Sequence, residues 1–351
     1  LNKLNGPLIS VVIPLYNKEN YIERTMRSVI GQTFKDLEII VIDDGSKDNS
    51  ANIVKSIKDD RIKLLHINNQ GEGVARNTGI KNSGGEIIAF LDADDEWMPG
   101  FLDEILILKN EFPNAGMFAT GFRNKYYGNY SIDTFISSKQ KKKTHIHINN
   151  YFKLALQRGI ITASNVGILK KIFFDVGFFC EKIGSGCDRD MWAKVALKYD
   201  VVFSNKILAV YHCQHSMGRN SNTKQEIPVK PIISETINNF INNKEHNPFD
   251  KYLKEYLNLN WFDRVDMAIK NNHGHEVKRI LSEEIKITQN SIFKFLWLKI
   301  LVTIFPLEWI KLIRRFQKSR WCKPIYSFFK NKPYPRVIQR GYFENIKNKE
   351  I

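Results

Sequence analysis

Cysteine is scarce in this chain. There are four in 351 residues, Cys180, Cys187, Cys213 and Cys322, and no two form a C-x-x-C pair. That excludes a disulfide framework and points to a reducing compartment. A zinc site drawn from Cys180, Cys187, His212, Cys213 and His215 would match no compact zinc-knuckle spacing. No secretory signal is visible either. The N-terminus runs straight into the apolar stretch Leu8–Ile13, closed by Pro14, so the first half is expected in the cytoplasm. Within the apolar C-terminal region the longest uncharged stretch is Ile300–Leu307. That is far short of the roughly 20 residues a membrane-spanning helix needs. There is no internal repeat, no P-loop, no G-x-G-x-x-G and no Ser/His/Asp signature. Gly71-Glu72-Gly73 lacks the third glycine of a dinucleotide loop.

Positive charge is abundant. Lys and Arg number 53 against 37 Asp and Glu, a net charge of +16. Such an excess implies a polyanionic partner: nucleic acid, an anionic membrane face, or a phosphorylated substrate. Hydrophobic residues at 43% supply a sizeable core, and 351 residues suffice for a large domain with an appendage.

Residues 8–108 alternate strand and helix signals. Leu8–Ile13, Leu37–Ile42, Ile62–Ile67 and Glu86–Leu91 read as strands. Between them lie helical patterns: one after Asn20 carrying Ile22, Met26 and Val29, one over Asn49–Ile57, and a short one over Gly73–Lys81. Pro99 opens a further helix through Leu108. Continuous apolar strands separated by helices predict an α/β fold with a mostly parallel sheet covered on both faces. Ligands of such sheets bind beyond the carboxyl ends of the strands. Acidic clusters stand at those ends, Asp43-Asp44 after the second strand and Asp92-Ala93-Asp94-Asp95 after the fourth.

Periodicity fades from Arg123 to Lys143, where Lys139–Lys143 reads as a solvated basic loop. Order resumes over Ile160–Leu169, a helix over Asp188–Lys198, and Val201–Tyr211 as two strands with a break between them. The expected organisation is a catalytic domain over 6–215, a helical appendage over 216–290, and a basic amphipathic tail over 291–351. Tyr252, Leu253, Tyr256, Leu257 and Trp261 form the appendage's apolar stripe, and a second helix follows a break at Gly274. In the tail, Trp297, Trp309 and Trp321 are interleaved with Arg314, Arg315, Lys318, Arg320 and Lys323. Aromatics beside cations suit a helix lying in an anionic membrane interface.

Asp92-Ala93-Asp94 is a D-x-D at a strand end, a pair of hard oxygen ligands for a divalent cation that bridges phosphates. Alone the motif is common in solvated turns. An ordered set accompanies it: Ser10-Val11-Val12-Ile13-Pro14-Leu15-Tyr16-Asn17, Ser28-Val29-Ile30-Gly31-Gln32-Thr33, Glu38–Asp48, Gly73-Val74-Ala75-Arg76-Asn77-Thr78-Gly79-Ile80 and Phe90–Asp95. Together these resemble glycosyltransferase family 2, the inverting enzymes of GT-A fold, strongly over 8–108 and fairly over 160–215.

The resemblance implies transfer of a hexosyl or N-acetylhexosaminyl group from a nucleotide-diphosphate sugar, by family habit UDP-linked. The acceptor it implies is a hydroxyl on a glycan or lipid-linked molecule, as in bacterial capsule or lipopolysaccharide assembly. It places Pro14, Tyr16 and Asp44 around the nucleobase and Arg76 near the base or diphosphate. Asp92, with Ala93 beside it, belongs at the ribose or sugar, and Asp94 on Mn2+ or Mg2+. Gly186-Cys187-Asp188-Arg189-Asp190-Met191-Trp192 is similar to the family's acidic motif and makes Asp188 the base that takes the acceptor's proton. Cys187 stands where the family usually has Glu, which leaves Asp190 as the alternative, and capping of the helix is the other use for Asp188. In Tyr211-His212-Cys213-Gln214-His215-Ser216, His215 is the candidate near the metal or diphosphate, with His212 the alternate.

Two rivals predict other features. A nucleic-acid-binding protein would interleave aromatics and cations on a sheet or groove, a pattern confined here to the tail, so no nucleic-acid partner is expected. A nucleotidyltransferase would carry a glycine- and cation-rich loop after its first strand, where this chain has Pro14-Leu15-Tyr16-Asn17.

Overall fold

The apolar run behind Leu8 becomes β1 (Ile9–Leu15), and its neighbour becomes β2 (Leu37–Asp43). Both strands are buried along nearly their whole length, which is why they lack the alternation of a one-sided sheet. The computed structural model describes residues 6–126, 130–136, 144–156, 160–181, 186–213, 232–242, 250–270 and 273–285. The basic run Lys139–Lys143, His215, and the tail 291–351 with its tryptophans and Cys322 lie outside the described residues.

The remaining strands are β3 (Ile62–His66), β4 (Ile87–Phe90), β5 (Glu96–Trp97), β6 (Ala115–Lys125), β7 (Ser131–Thr134), β8 (His145–Ile148), β9 (Val166–Leu169) and β10 (Asp200–His212). They form one sheet in the order β3-β2-β1-β4-β9-β6-β10-β5, with β7 added to β6 and β8 to β10. Strands β1, β2, β3 and β4 are mutually parallel, and β6 runs parallel to β10. Strand β9 is antiparallel to both β4 and β6 and sits between them. All the longer strands therefore end on one edge of the sheet, and β9 begins there.

Helices cover the faces. In α1 (Ile22–Ile30) the buried residues Ile22, Met26 and Val29 recur at helical spacing. Its N-terminal flank is Tyr21, with no side-chain cap, so Asn20 does not take the capping position its residue type suggested. The helices α2 (Ser50–Ser56) and α3 (Glu72–Lys81) follow. Helix α3 packs so closely on β1 that a Cβ on Gly79 would stand 2.4 Å from a methyl of Val12. Helix α4 (Phe101–Glu111) starts later than Pro99 suggested, because Gly100 takes the left-handed φ of 89° and Glu96–Trp97 pair with β10 first. A short α5 (Tyr151–Ala155) follows β8, and α6 (Lys170–Val176) and α7 (Cys187–Ala196) complete the sheet's surroundings.

Where two strands were expected over Val201–Tyr211, β10 is a single strand of 13 residues. Its register against β6 shifts between Ser204 and Ile207, so the polar stretch is absorbed as a bulge.

Among the described residues, the sheet and its helices make one compact unit, and residues 152–156 with the later helices make a second. The second holds α8 (Ile232–Asn242), α9 (Asp250–Lys270) and α10 (Gly274–Arg279), which continues into a π-helical turn at Ile280–Glu284. Leu253, Tyr256, Leu257 and Trp261 of the expected stripe are buried there.

Candidate active site

Strands β2, β1 and β4 deliver their last residues side by side. Leu15 pairs with Asp43 across β1 and β2, and the Asp44 N–H donates to the Leu15 carbonyl at 2.8 Å. Beyond β1, the Tyr16 side chain is 42% exposed at this edge, while Pro14 is partly buried within the strand. Asn17 takes a φ of 50°, a conformation Asn tolerates, and laces the first two loops together. Its N–H donates to Ser46 Oγ at 3.1 Å, and its Oδ1 accepts from Lys47 N at 2.8 Å.

Asp44 is buried and occupied. Its carboxylate accepts from Gln70 N at 2.7 Å and from Gly71 N at 2.8 Å, which fixes the turn into α3. A carboxylate offers about four lone-pair sites, so two backbone donors leave capacity for a ligand N–H.

On the other side of β1, the Leu91 N–H donates to the Val12 carbonyl at 3.2 Å, and Asp92, Asp94 and Asp95 follow. One carboxylate oxygen from each lies within 4.8 Å of the other two, the one such gathering of potential ligands among the described residues. The cysteines and His212 form no comparable group there. Asp95 is the innermost of the three. Its oxygens accept from Ser164 Oγ at 2.5 Å and from His212 N at 2.9 Å. Burial, and then the charges of Asp92 and Asp94, push its carboxyl well above the usual range. Three hard oxygen donors whose mutual repulsion is already expressed at one of them fit a divalent cation such as Mn2+ or Mg2+.

Cations surround the cluster. Lys18 Nζ forms an ion pair with Asp94 Oδ2. Arg24 Nη2 donates to the Asp94 carbonyl. Arg76 is 2% exposed and donates from Nη2 to Asp92 Oδ1 at 2.9 Å, while its Nε and Nη1 have no hydrogen-bond partner. Burial opposes its charge, but Glu72, Asp92 and Asp188 outweigh that and hold the guanidinium protonated more firmly than usual.

Asp188 lies in the first turn of α7, partly exposed. Gly186 holds the helix's N-cap position at a φ of 107°, and no side chain caps the helix. Asp188 Oδ1 accepts from the adjacent Arg189 N at 2.8 Å, one of the free N–H groups of the helix's first turn, so its carboxylate also serves the helix end. The alternative, Asp190, is 1% exposed and paired with Lys194 at 2.7 Å. Cys187 is buried too, and burial, then Glu72 and Cys180, push its thiol up to about 12. It supplies neither a carboxylate nor a thiolate where the resemblance leads one to expect Glu.

The chain leading to α7 is clamped by Asn77. Its Oδ1 accepts from Phe179 N at 2.9 Å, and its Nδ2 donates to Phe179 O at 2.9 Å and Glu181 Oε1 at 3.0 Å. A Cβ on Gly73 would stand 2.3 Å from the Cys180 carbonyl oxygen, so α3 and this segment touch through backbone.

His212 ends β10 buried, its Nε2 2.9 Å from Glu96 Oε1. It meets the acidic cluster through its main-chain N–H. Sequence reasoning assigned no role to Lys18, Arg24, Asn77 or Ser164. Asn77 sits inside a quoted motif and Lys18 directly follows one, which was the available signal; Ser164 had none.

Residues 10–177 match the family model for glycosyl transferase family 2. Over 232 residues the chain is 33% identical to an uncharacterized glycosyltransferase of Rickettsia felis, covering 64% of this chain and 37% of that protein. Over 276 residues it is 31% identical to Glycosyltransferase GlyA of Streptococcus pneumoniae, covering 72% and 37% respectively. The match thus spans little more than a third of either relative's length. In fold the chain resembles the crystal structure of S. aureus TarS 1–349 in complex with UDP-GlcNAc, with a TM-score of 0.61 and 20% identity over 78% of this chain and 79% of that one. The same protein in complex with UDP gives a TM-score of 0.62 at 18% identity, covering 89% and 93%.

Proposed function

Because residues 10–177 belong to glycosyltransferase family 2, we propose that this chain transfers a sugar, with inversion, from a UDP-sugar to a hydroxyl of a glycan or lipid-linked acceptor. The observation that carries the reading is the convergence of Asp92, Asp94 and Asp95 at one edge, with the buried Arg76 bonded to Asp92 beside them. The crystal structures of TarS with UDP-GlcNAc and with UDP, which share the fold, favour uridine as the base and a hexosaminyl group as one candidate sugar.

Tyr16 offers its exposed ring to the base, Pro14 backs it, and Asp44 accepts a base N–H. Asp92, held by Arg76, and Ala93 face the ribose and sugar. Mn2+ or Mg2+ would be held by Asp94 with its neighbouring carboxylates, and by His215 from beyond the described residues; when bound it neutralises the departing diphosphate. Asp188 accepts the proton of the acceptor hydroxyl. The freed oxygen pair forms the new bond to the anomeric carbon as the bond to the diphosphate breaks on the opposite face. The protein leaves this step with the proton on Asp188 and no sugar attached to any side chain.

Catalysis at the cytoplasmic membrane face fits the tail's apolar and basic sequence. Among the described residues no helix is long and apolar enough to cross a membrane. The test is a donor panel. The protein is incubated with Mn2+ and nucleotide sugars, and released nucleoside diphosphate is measured. Release from at least one UDP-sugar is expected; none from any donor, or synthesis of sugar nucleotide from sugar phosphate, would overturn the reading.

A further inference from the structure

The three cations around the acidic cluster differ in how they are held. Arg76 is pinned: it is buried, bonded to Asp92, and its guanidinium carbon stands 5.5 Å from the Phe179 ring centre. Arg24 grips a main-chain carbonyl and leaves the carboxylates to others. Lys18 alone of the three pairs with the carboxylate of Asp94, and it does so at the end of a four-carbon stem.

The main chain of Lys18 is held by hydrogen bonds, and its ammonium reaches Asp94 on a four-carbon stem with rotatable bonds. Its N–H donates to Ser50 Oγ at 2.7 Å, and its carbonyl accepts from Tyr21 N and Ile22 N, both at 2.9 Å, at the start of α1. The ammonium retains some solvent contact, with the side chain 13% exposed, and lies 5.8 Å from the Tyr21 ring centre. A divalent ion on Asp94 Oδ2 and an ammonium on the same oxygen repel each other, so one must leave. Rotation about the lysine stem is the motion the fixed main chain allows. A diphosphate arriving with the metal gives the ammonium an anion to move to.

Resting on the donor-site reading above, we propose that Lys18 is an exchangeable counter-ion: it holds Asp94 when no donor is present, yields that carboxylate to a divalent cation, and turns to the diphosphate that accompanies the cation. Metal and diphosphate then bind synergistically, because each removes an obstacle to the other. Metal alone binds weakly, since it must displace the lysine without offering it a new partner.

The test is Mn2+ binding, read by the electron paramagnetic resonance of the free ion, and UDP binding by calorimetry, on the full chain. Lys18→Met should bind Mn2+ alone about tenfold more tightly than the parent and UDP in the presence of Mn2+ about tenfold more weakly. Lys18→Arg keeps the charge and should restore weak binding of Mn2+ alone. Lys18→Gln repeats the measurement should the methionine variant fail to fold. Unchanged or weakened Mn2+ affinity in the neutral variants, or unchanged UDP affinity, overturns the exchange. If the parent itself binds no UDP with Mn2+ present, the donor-site reading falls first.

Discussion

Asn77→Ala removes the clamp between α3 and the segment that leads to Asp188. The side chain makes three hydrogen bonds, two to the main chain of Phe179 and one to Glu181. Asn77 and Phe179 are both buried, so the alanine leaves a main-chain donor and acceptor without partners in a place water reaches poorly. Each unpaired buried group costs about 1–3 kcal/mol. The sum, about 2–6 kcal/mol before relaxation, places the variant among strongly destabilised substitutions. Asn77→Asp has the same shape but faces the Phe179 carbonyl and Glu181 with an acceptor where a donor stood, so it should be no better than alanine at neutral pH. Acidification that protonates the new carboxyl should partly rescue it. Urea denaturation followed by fluorescence measures stability, and donor turnover measures the site. In both variants we expect kcat to fall more than donor KM rises, because the base segment loosens while the donor edge, built from β1, β2 and β4, stays in place. A change in stability below about 0.5 kcal/mol for Asn77→Ala, or a loss confined to KM, would refute the clamp.

Asp94→Ala should lose metal-dependent turnover, and Asp188→Asn should retain UDP binding while transfer falls about 100-fold or more; calorimetry beside product release separates the two, and persistent transfer in the asparagine variant would remove Asp188 as base. Glu38 tests linkage. Burial raises its carboxyl, but Lys63, Ser10 and the Gly84 N–H outweigh burial and hold it below its ordinary 4.5. Its contribution is therefore complete above that ordinary value and fades as pH falls through the lower folded one. Glu38→Gln should lower the melting temperature at neutral pH, and the gap should close in acid; a gap that persists or widens in acid contradicts the assignment. Deleting residues from 291 onward should release the protein from anionic vesicles in a sedimentation assay, whereas retained binding would refute an interfacial tail.

The front half of the fold was legible because parallel strands buried on both faces leave unbroken apolar runs, as in Val11-Val12-Ile13 and Ile39-Ile40-Val41-Ile42. The acidic edge was legible for a related reason: Asp43-Asp44 and Asp92–Asp95 follow those runs directly. The polar residues Ser204-Asn205-Lys206 read as a strand end, since periodicity does not announce a bulge. Lys18 and Asp94 are 76 positions apart, and Asn77 and Phe179 102 apart, so no local pattern encodes their meeting. Ser164 is the extreme case, a serine in an ordinary context whose importance comes from topology alone.

That topology has a consequence for how the site is assembled. Strand β9 runs against its neighbours, with Val166 opposite Phe90, so the chain enters it where β4 leaves the sheet. Ser164, just upstream, thus accepts from the Asp92 N–H at 3.2 Å and donates to Asp95. A single reversed strand acts as a keystone, wedging one hydroxyl beneath the acidic edge from a part of the chain about 70 positions beyond it. Variation in the segment before it would act on the Asp92–Asp95 turn and not on Asp44 and Tyr16, the residues proposed for the base.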